Sequence, residues 1–441
     1  MNASYRTSRR QFLCASIAAT AGLTMIAPRR LWGANDRLNF AAIGVGGMGA
    51  ADLSSIARRP EVNVVALCDV DANTLAKAAG KYPQAKLFRD FRKLFDEMGD
   101  SFDAVNVSTP DHTHAPAAMT ALAHGKHVYC QKPLTHDVYE SRQLAIVARE
   151  KGLVTQMGIQ IHSEPPYRRA VKIIRDGTLG KIREVHSWSG KKWGYAGPRP
   201  DPAPVPENLD WDLWIGTAPM RPFAPGAYHP ANWRKWLDFG AGTMGDMGIH
   251  ILDPVANALK LGAPRTIVSS SDVPPPESFA LDNRVEYTFA GTDLLTDGFK
   301  LTWYDGDQRP DTSAWPVADV RMPDQGSMFV GEKGYMLLPH VGEPVLLPRD
   351  AFDGYTPPQV EDGDHWDQWV SACLGTGQTT AGFDYAGPLT ETLLLGVIAN
   401  RFPTQALEWD AEKLQFTNFD EANKLLRRTY REGYEVPGLS G

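Results

Sequence analysis

The sequence predicts an α/β protein in which a parallel sheet flanked by helices is followed by a second, mostly antiparallel sheet. Three observations carry that expectation. Short apolar runs alternate with helical stretches from Leu38 to Met157, as in strands joined by right-handed helical crossovers. A glycine-rich turn, Gly44-Val45-Gly46-Gly47-Met48-Gly49, follows the first run. Beyond Gly262 the chain reads as further strands, with a hairpin turn at Gly331-Glu332-Lys333-Gly334.

Each element has a local reason. Leu38 to Ile43 is a short apolar run that stops at glycine, the signature of a buried strand. Ala50 to Ala57 is helical, and the valine-rich run Val62 to Leu67 is a second strand ending at Asp69. Helices are expected at Asp71 to Lys81 and at Asp90 to Glu97, where Phe91, Leu94 and Phe95 share one face. Ala104 to Val107 is a strand ending in Ser108-Thr109-Pro110-Asp111-His112-Thr113-His114. Ala115 to His124 is a helix stopped by Gly125, and His127 to Cys130 is a strand ending in Gln131-Lys132-Pro133. A helix from Asp137 to Glu150 and a strand from Val154 to Met157 complete the alternation. Residues 158–240 read as irregular, with five prolines between Gly197 and Pro206 marking an extended loop. Strands follow at Arg265 to Ser270, Arg284 to Phe289, Gly298 to Tyr304, Met328 to Val330 and Tyr335 to Leu338. Helices are expected at His365 to Leu374 and Leu389 to Arg401, and the basic tail from Asp420 to Tyr434 reads as a solvated surface helix.

Composition narrows the function classes. The 441 residues are 43% hydrophobic, 22% charged and 10% aromatic, values that exclude a disordered or fibrous chain. The net charge of −7 opposes nucleic-acid binding driven by phosphate neutralisation. Cys14, Cys68, Cys130 and Cys373 form no CxxC pair, so a cysteine zinc site is not expected. Cys68 and Cys130 fall at strand ends, where a small buried hydrophobe is the expected role.

Residues 1–35 read as an export signal rather than fold. Ser8-Arg9-Arg10-Gln11-Phe12-Leu13 places a twin arginine before an uncharged stretch that runs to Ala27 and ends at Pro28-Arg29-Arg30. That stretch is shorter than the ~18 residues a membrane span needs, so no stable span is expected. The arginine pair followed by Phe-Leu resembles the twin-arginine class. A periplasmic or other extracytoplasmic location follows, for a protein exported folded with its cofactor loaded.

The glycine turn has a specific physical reading. Gly44 permits the tight turn, Gly46 allows backbone approach to a pyrophosphate, and Gly49 allows the helix to pack close to the strand. The helix N-terminus presents free N–H groups and a positive dipole end to phosphates. Asp69 lies 20 residues beyond Gly49, the spacing of an acid that accepts hydrogen bonds from the adenosine ribose. A carboxylate there repels a 2′-phosphate, and Val70 rather than arginine follows, so NAD is favoured over NADP. The Thr109-Pro110 turn and Gln131-Lys132-Pro133 lie at further C-terminal strand ends, where ligands bind in such sheets.

Asp246 and His250 are four residues apart, which on a helix puts both on one face. By residue type alone, Asp246 would cap the helix and His250 would fill its face. Six tryptophans lie between 188 and 236: Trp188, Trp193, Trp211, Trp214, Trp233 and Trp236. Most tryptophans are core, and one or two of these are expected to line a pocket, Trp193 and Trp236 first. Tyr195, His229, Asn232 and Arg234 are polar neighbours in the same loops.

Four motifs together resemble the glucose–fructose oxidoreductase / inositol dehydrogenase / MocA (Gfo/Idh/MocA) family. They are Gly44 to Gly49 with Asp69; Thr109-Pro110 with His112 and His114; Gln131-Lys132-Pro133; and Gly240 to Asp253, which reads GAGTMGDMGIHILD. The resemblance runs from about residue 36 to the C-terminus. It implies a Rossmann domain over residues 36–158 and a substrate-binding and oligomerisation domain over 159–441, α/β with a large open sheet. It implies NAD(P)-linked oxidation of a CH–OH group on a sugar or polyol by a homo-oligomer associating through the C-terminal sheet. Cofactor contacts are then expected from Gly44, Gly46, Gly47, Met48, Gly49, Asp69, Thr109, Pro110, His112, His114, Gln131 and Lys132. Lys132 would hydrogen-bond the reacting hydroxyl, His250 would act as general acid/base with an ordinary pKa, and Asp246 would orient the substrate or His250. Trp193, Tyr195, Asn232, Arg234 and Trp236 are the substrate candidates. No metal is expected, a site from Asp111, His112 and His114 being the weaker reading. The family's usual motif is Glu-Lys-Pro, and Gln131 removes a charge beside Lys132, leaving the lysine without a partner that favours its protonated form. The same residues also suit an NAD-recycling glycosidase or lyase, and the same fold a non-catalytic sugar-binding protein.

Overall fold

The computed structural model describes residues 37–440. The twin arginine, the apolar stretch behind it and Cys14 lie outside those residues.

The first half is a six-stranded parallel sheet: β1 (Leu38–Ile43), α1 (Gly47–Ile56), β2 (Val62–Cys68), α2 (Ala72–Ala79), β3 (Lys86–Phe88), α3 (Phe91–Met98), β4 (Ala104–Val107), α4 (Asp111–Ala123), β5 (His127–Gln131), α5 (Val138–Lys151) and β6 (Thr155–Gly158). The strand order β3-β2-β1-β4-β5-β6 reverses between β1 and β4, the switch point where such sheets bind ligands. Three of the acids expected inside helices instead cap them. Asp71 accepts the Asn73 and Thr74 amides, Asp90 accepts the Arg92 amide, and Asp137 forms a capping box with Glu140. The helix after β4 starts four residues earlier than expected, because Pro110 occupies the N-cap and Asp111 the first turn. Cys68, Cys130 and Cys373 are free and buried.

The second half is a nine-stranded, mostly antiparallel sheet in the order β13-β12-β11-β7-β10-β9-β8-β14-β15. Its elements are α6 (Pro165–Arg175), β7 (Ile182–Ser189), α7 (Trp211–Ile215), α8 (Ile249–Leu259), β8 (Thr266–Ser269), β9 (Asn283–Thr288), β10 (Leu295–Asp305), β11 (Gln325–Gly331), β12 (Tyr335–Pro339), β13 (Val345–Leu347), α9 (His365–Cys373), α10 (Phe383–Ala399), β14 (Leu407–Asp410), β15 (Gln415–Phe416) and α11 (Asp420–Asn423). β7 and β10 form its one parallel pair among the described strands. α5 and α10 join the halves: Arg142 donates to both carboxylate oxygens of Glu391 at 2.8 Å, and Ser141 Oγ donates to the Gly387 carbonyl at 2.9 Å.

Two stretches depart from the sequence reading. Residues 158–240 are not irregular throughout, since they contain α6 and the central strand β7. Pro165 and Pro166 open α6, where proline costs no hydrogen bond. β7 was obscured by its buried serines: Ser187 Oγ lies 2.8 Å from Ser327 Oγ, and Ser189 Oγ donates to Gln325 at 2.9 Å. The second departure is the tail. Only Asp420–Asn423 is helical, and the arginines beyond it are not a solvated face. Arg428 donates to Glu140 Oε1 from Nε and Nη2, at 2.8 and 2.6 Å, and Tyr430 donates to the same oxygen at 2.7 Å. Glu140 is buried, so its ion pair fastens the tail to the first domain.

Candidate active site

A cavity of about 850 Å³ opens at the C-terminal ends of β1, β2, β4 and β5, large for a small-molecule site. Gly44, Gly46, Gly47 and Met48 form its floor. Gly44 has φ of +78°, and a Cβ on it would sit 2.5 Å from the Ser108 carbonyl oxygen. A Cβ on Gly49 would lie 2.0 Å from the Gly44 carbonyl oxygen, so α1 reaches the strand turn only because both residues lack side chains. No side chain caps the start of α1, whose first amides remain for a ligand's phosphates. These features fit a dinucleotide.

At one end stand Asp69, Val70, Asp71 and Thr74. The Asp69 carboxylate accepts the Val45 and Asp71 amides, both at 2.9 Å. These bonds fix its orientation and leave lone pairs for ribose hydroxyls. Burial pushes the Asp69 carboxyl up, against the two amides. Arg89 and Arg92 line the same end, but both are engaged. Arg89 donates to the Asn208 carbonyl at 2.9 Å, and Arg92 forks onto Asp90.

At the inner end Lys132 Nζ donates to Asp246, at 2.9 Å to Oδ1 and 2.7 Å to the main-chain oxygen. Arg234 Nε donates to the same Oδ1 at 3.0 Å, and Trp193 Nε1 to Oδ2 at 2.6 Å. Burial alone would raise the Asp246 carboxyl, but the Lys132 and Arg234 charges hold it well below the usual carboxylate range. Asp246 sits in a π-helical turn, Met244–Gly248, that runs into α8. That turn breaks the regular four-residue spacing, and among the described contacts Asp246 does not hydrogen-bond His250. It orients Lys132 and Arg234 instead. His250 lines the cavity, and its buried Nδ1 has no hydrogen-bond partner. Burial, then the Lys132 charge and His340, hold its pKa well below the ordinary value, which corrects the expectation of an unperturbed imidazole.

The residue that departs from Glu-Lys-Pro has an explanation in packing. Gln131 Nε2 donates to Asp52 Oδ2 at 2.8 Å. Asp52, on α1, is fully buried and also accepts Ser108 Oγ at 2.8 Å and Trp366 Nε1 at 2.9 Å. Burial pushes the Asp52 carboxyl up. A glutamate at 131 would face this acid with no proton to donate, so glutamine is the residue that satisfies it. The anionic partner for Lys132 is Asp246, supplied by the other domain.

Thr109, Pro110, Gln131, Lys132, Arg234 and His250 therefore converge on the cavity. Other candidates do not. His112 and His114 are buried behind its wall. His112 Nε2 lies 3.0 Å from the Trp214 carbonyl. The His114 ring nitrogens lie 2.8 Å from the Thr109 and Pro133 carbonyls, so this side chain ties the two strand-end turns together. Burial drives their pKa values down to about 3 and about 4. Trp236 is buried among Tyr195, Tyr228 and Phe239, with Nε1 on the Ala227 carbonyl. Tyr195 donates to the Pro198 carbonyl and the half-buried Asn232 to the Gly226 carbonyl. Trp193 does not line the cavity and reaches the site through Asp246 and the Arg234 guanidinium 5.8 Å from its ring. The tryptophans that line the cavity are Trp214 and Trp233. Arg234 stacks 4.2 Å above the Trp233 ring. Asp111, named in the sequence only as part of the weaker metal reading, also lines the cavity; burial, partly offset by Arg234 and Lys132, raises its pKa to about 7. Its place at the start of α4, beside Thr109-Pro110, was the available signal.

Comparison with known proteins agrees with this geometry. The model for the Gfo/Idh/MocA oxidoreductase family, NAD-binding Rossmann fold, matches residues 38–159, and that for the family's C-terminal alpha/beta domain matches residues 166–311. Inositol 2-dehydrogenase of Rhodococcus jostii is 35% identical over 159 residues, 35% of this chain and 42% of that protein. Levoglucosan dehydrogenase of Pseudarthrobacter phenanthrenivorans is 25% identical over 226 residues, 49% of this chain and 50% of that one. The matches thus span half or less of these relatives' own lengths. The WlbA dehydrogenase of Bordetella pertussis, solved with NADH and UDP-GlcNAcA, shares the fold at a TM-score of 0.60 and 14% identity, covering 85% of this chain and 99% of that one.

Proposed function

Because this chain belongs to the Gfo/Idh/MocA oxidoreductase family, with an NAD-binding Rossmann domain and a C-terminal α/β domain, we propose that it oxidises a CH–OH group of a sugar or polyol. The observation that carries this reading is that Lys132 and Arg234, held together by Asp246 behind the wall, line the same cavity as His250 and the glycine turn. Bound NAD supplies the hydride acceptor. Gly44 to Gly49 and Asp69 would hold it, with Thr109, Pro110 and Gln131 along its path. Lys132 Nζ orients the reacting hydroxyl by hydrogen bonding to its oxygen. His250, neutral and without a competing partner at Nδ1, accepts the hydroxyl proton. Asp246 fixes the lysine, Arg234 binds further substrate oxygens, and the Trp233 ring beneath Arg234 offers an apolar face to a sugar ring.

The test is a panel of sugars, polyols and glycosides incubated with the protein and NAD. Substrate-dependent NADH absorbance, with a product lighter by one hydrogen molecule, is expected. A glycoside cleaved without net NADH would indicate redox-assisted bond cleavage instead, and sugar binding without turnover would indicate a non-catalytic role.

Asp69 makes NAD the preferred cofactor. NAD is expected to bind at least about tenfold more tightly than NADP, the order of one close like-charge repulsion at a partly buried site. Asp69→Ala should narrow that gap, by weakening NAD and tolerating NADP. Calorimetric titration of both cofactors checks it, and tighter NADP binding by the wild type would reverse the assignment.

We also propose export by the twin-arginine route, which the Ser8 to Leu13 segment supports. Replacing Arg9 and Arg10 by lysine should keep the protein in the cytoplasm on cell fractionation. A distribution unchanged by the double substitution overturns the route.

A further inference from the structure

The C-terminal tail lies beyond both family-model matches, which end at residue 311, yet it forms part of the cavity wall. Tyr434, Glu435, Val436 and Pro437 line the same cavity as Asp69, Arg92, Thr113 and Pro116, and Tyr434 packs against Arg92. Across from them stand Leu213, Trp214, Gly216 and Thr217, from α7 and the turn behind it. Two separate parts of the chain thus roof the end of the cleft where the ribose-binding acid sits.

The two roof segments are fastened to each other and to the first domain. Arg431 donates from Nη1 to Asp212 Oδ1 at 2.6 Å and from Nε to the Gly216 carbonyl at 2.9 Å. Its amide donates to the Thr217 carbonyl at 3.0 Å. Tyr434 Oη donates to Asp212 Oδ2 at 2.6 Å, so one carboxylate receives both tail side chains. On the other side, Arg92 of α3 donates to the Gly433 carbonyl at 2.9 Å and stacks 4.3 Å above the Tyr434 ring. The tail's root is held by the buried Arg428–Glu140 pair. Its tip folds back through Arg427, which donates to the Leu439 carbonyl from Nη2 at 2.7 Å.

We propose that residues 433–437 are the outer wall of the adenosine subsite, and that the Arg431–Asp212–Tyr434 contacts are a clasp that retains the dinucleotide. This rests on the NAD reading above. On this reading the adenosine half leaves past the roof, and parting the roof breaks the charge-assisted bonds to Asp212. Asp212 and Arg431 themselves stand outside the cavity lining, so they act on the cofactor by holding the wall. The clasp makes the bound dinucleotide slow to exchange, as a site that works with a resident cofactor requires.

The test uses the full chain, Asp212→Ala, and a shorter chain ending at Glu432. NADH release is followed by stopped-flow fluorescence, and ADP-ribose and nicotinamide mononucleotide are titrated by calorimetry. Asp212→Ala should speed NADH release and weaken ADP-ribose by about tenfold, the scale of one charge-assisted hydrogen bond. The shorter chain should show a larger change in the same sense. Nicotinamide mononucleotide, which lacks the adenosine, should bind all three proteins alike. Thermal scans confirm that the variants are folded. Wild-type protein that binds NAD while both variants release it at the wild-type rate overturns the clasp alone. Equal weakening of nicotinamide mononucleotide overturns the adenosine assignment. Wild-type protein that binds no dinucleotide overturns the cofactor reading and the clasp with it.

Discussion

Lys132→Met is expected to lower kcat by about a hundredfold or more and to leave NAD affinity within about threefold, the range for loss of a group acting in the chemical step. Methionine keeps most of the lysine stem, so the half-buried side chain is replaced with little change in packing. The substitution removes the ammonium and its bond to Asp246. It does not strand the Asp246 carboxylate, which keeps Arg234 at 3.0 Å and Trp193 at 2.6 Å. Gly44 to Gly49 and Asp69 stand apart from this cluster, so the cofactor's main contacts persist. Steady-state kinetics on the substrate found by screening, with calorimetric NAD titration, separate the two effects. An unaltered kcat would remove Lys132 from the reaction. A fall confined to NAD affinity would make it a cofactor ligand only.

The dinucleotide half of this site was legible in the sequence because its determinants are local. Gly44 and Gly49 are needed within one strand-turn-helix unit, and Asp69 ends the next strand, so spacing alone carries the geometry. Lys132 was legible for the same reason, lying at a strand end in a recurring tripeptide. The partners of these residues were not, because they come from distant parts of the chain. Asp52 explains Gln131 across 79 residues, and Asp246 supplies the charge beside Lys132 across 114. Trp236 and Tyr195 show the same limit in reverse. An aromatic in a loop can stack on a sugar or on its neighbours, and only the packing of Trp211, Trp214, Tyr228 and Phe239 decides which. The tail was misread because arginine clusters usually mark solvent. Here Arg428 and Arg431 are tied to Glu140 and Asp212, acids whose positions near the tail arise only on folding.

His250→Gln is expected to lower kcat by about a hundredfold to ten-thousandfold, the contribution of a positioned acid–base group, and to do so equally across the neutral range. The pH dependence follows from two opposite shifts. Burial, Lys132 and His340 hold His250 well below the ordinary imidazole value. A base is active when unprotonated, so lowering its pKa moves its activity limb to the acid side of the ordinary imidazole range. Asp111 shifts the other way, up to about 7. It is neutral below that pH and anionic above it, where its charge acts on Lys132 and Arg234. A limb near pH 7 in the profile of the wild type therefore belongs to Asp111. It should disappear in Asp111→Asn, while the His250→Gln profile keeps its shape at a lower level. The profiles of kcat and kcat/KM for the three proteins check this. A neutral limb that survives in Asp111→Asn and vanishes only in His250→Gln would return the titration to the histidine, and would mean that bound substrate and cofactor cancel the effect of its burial.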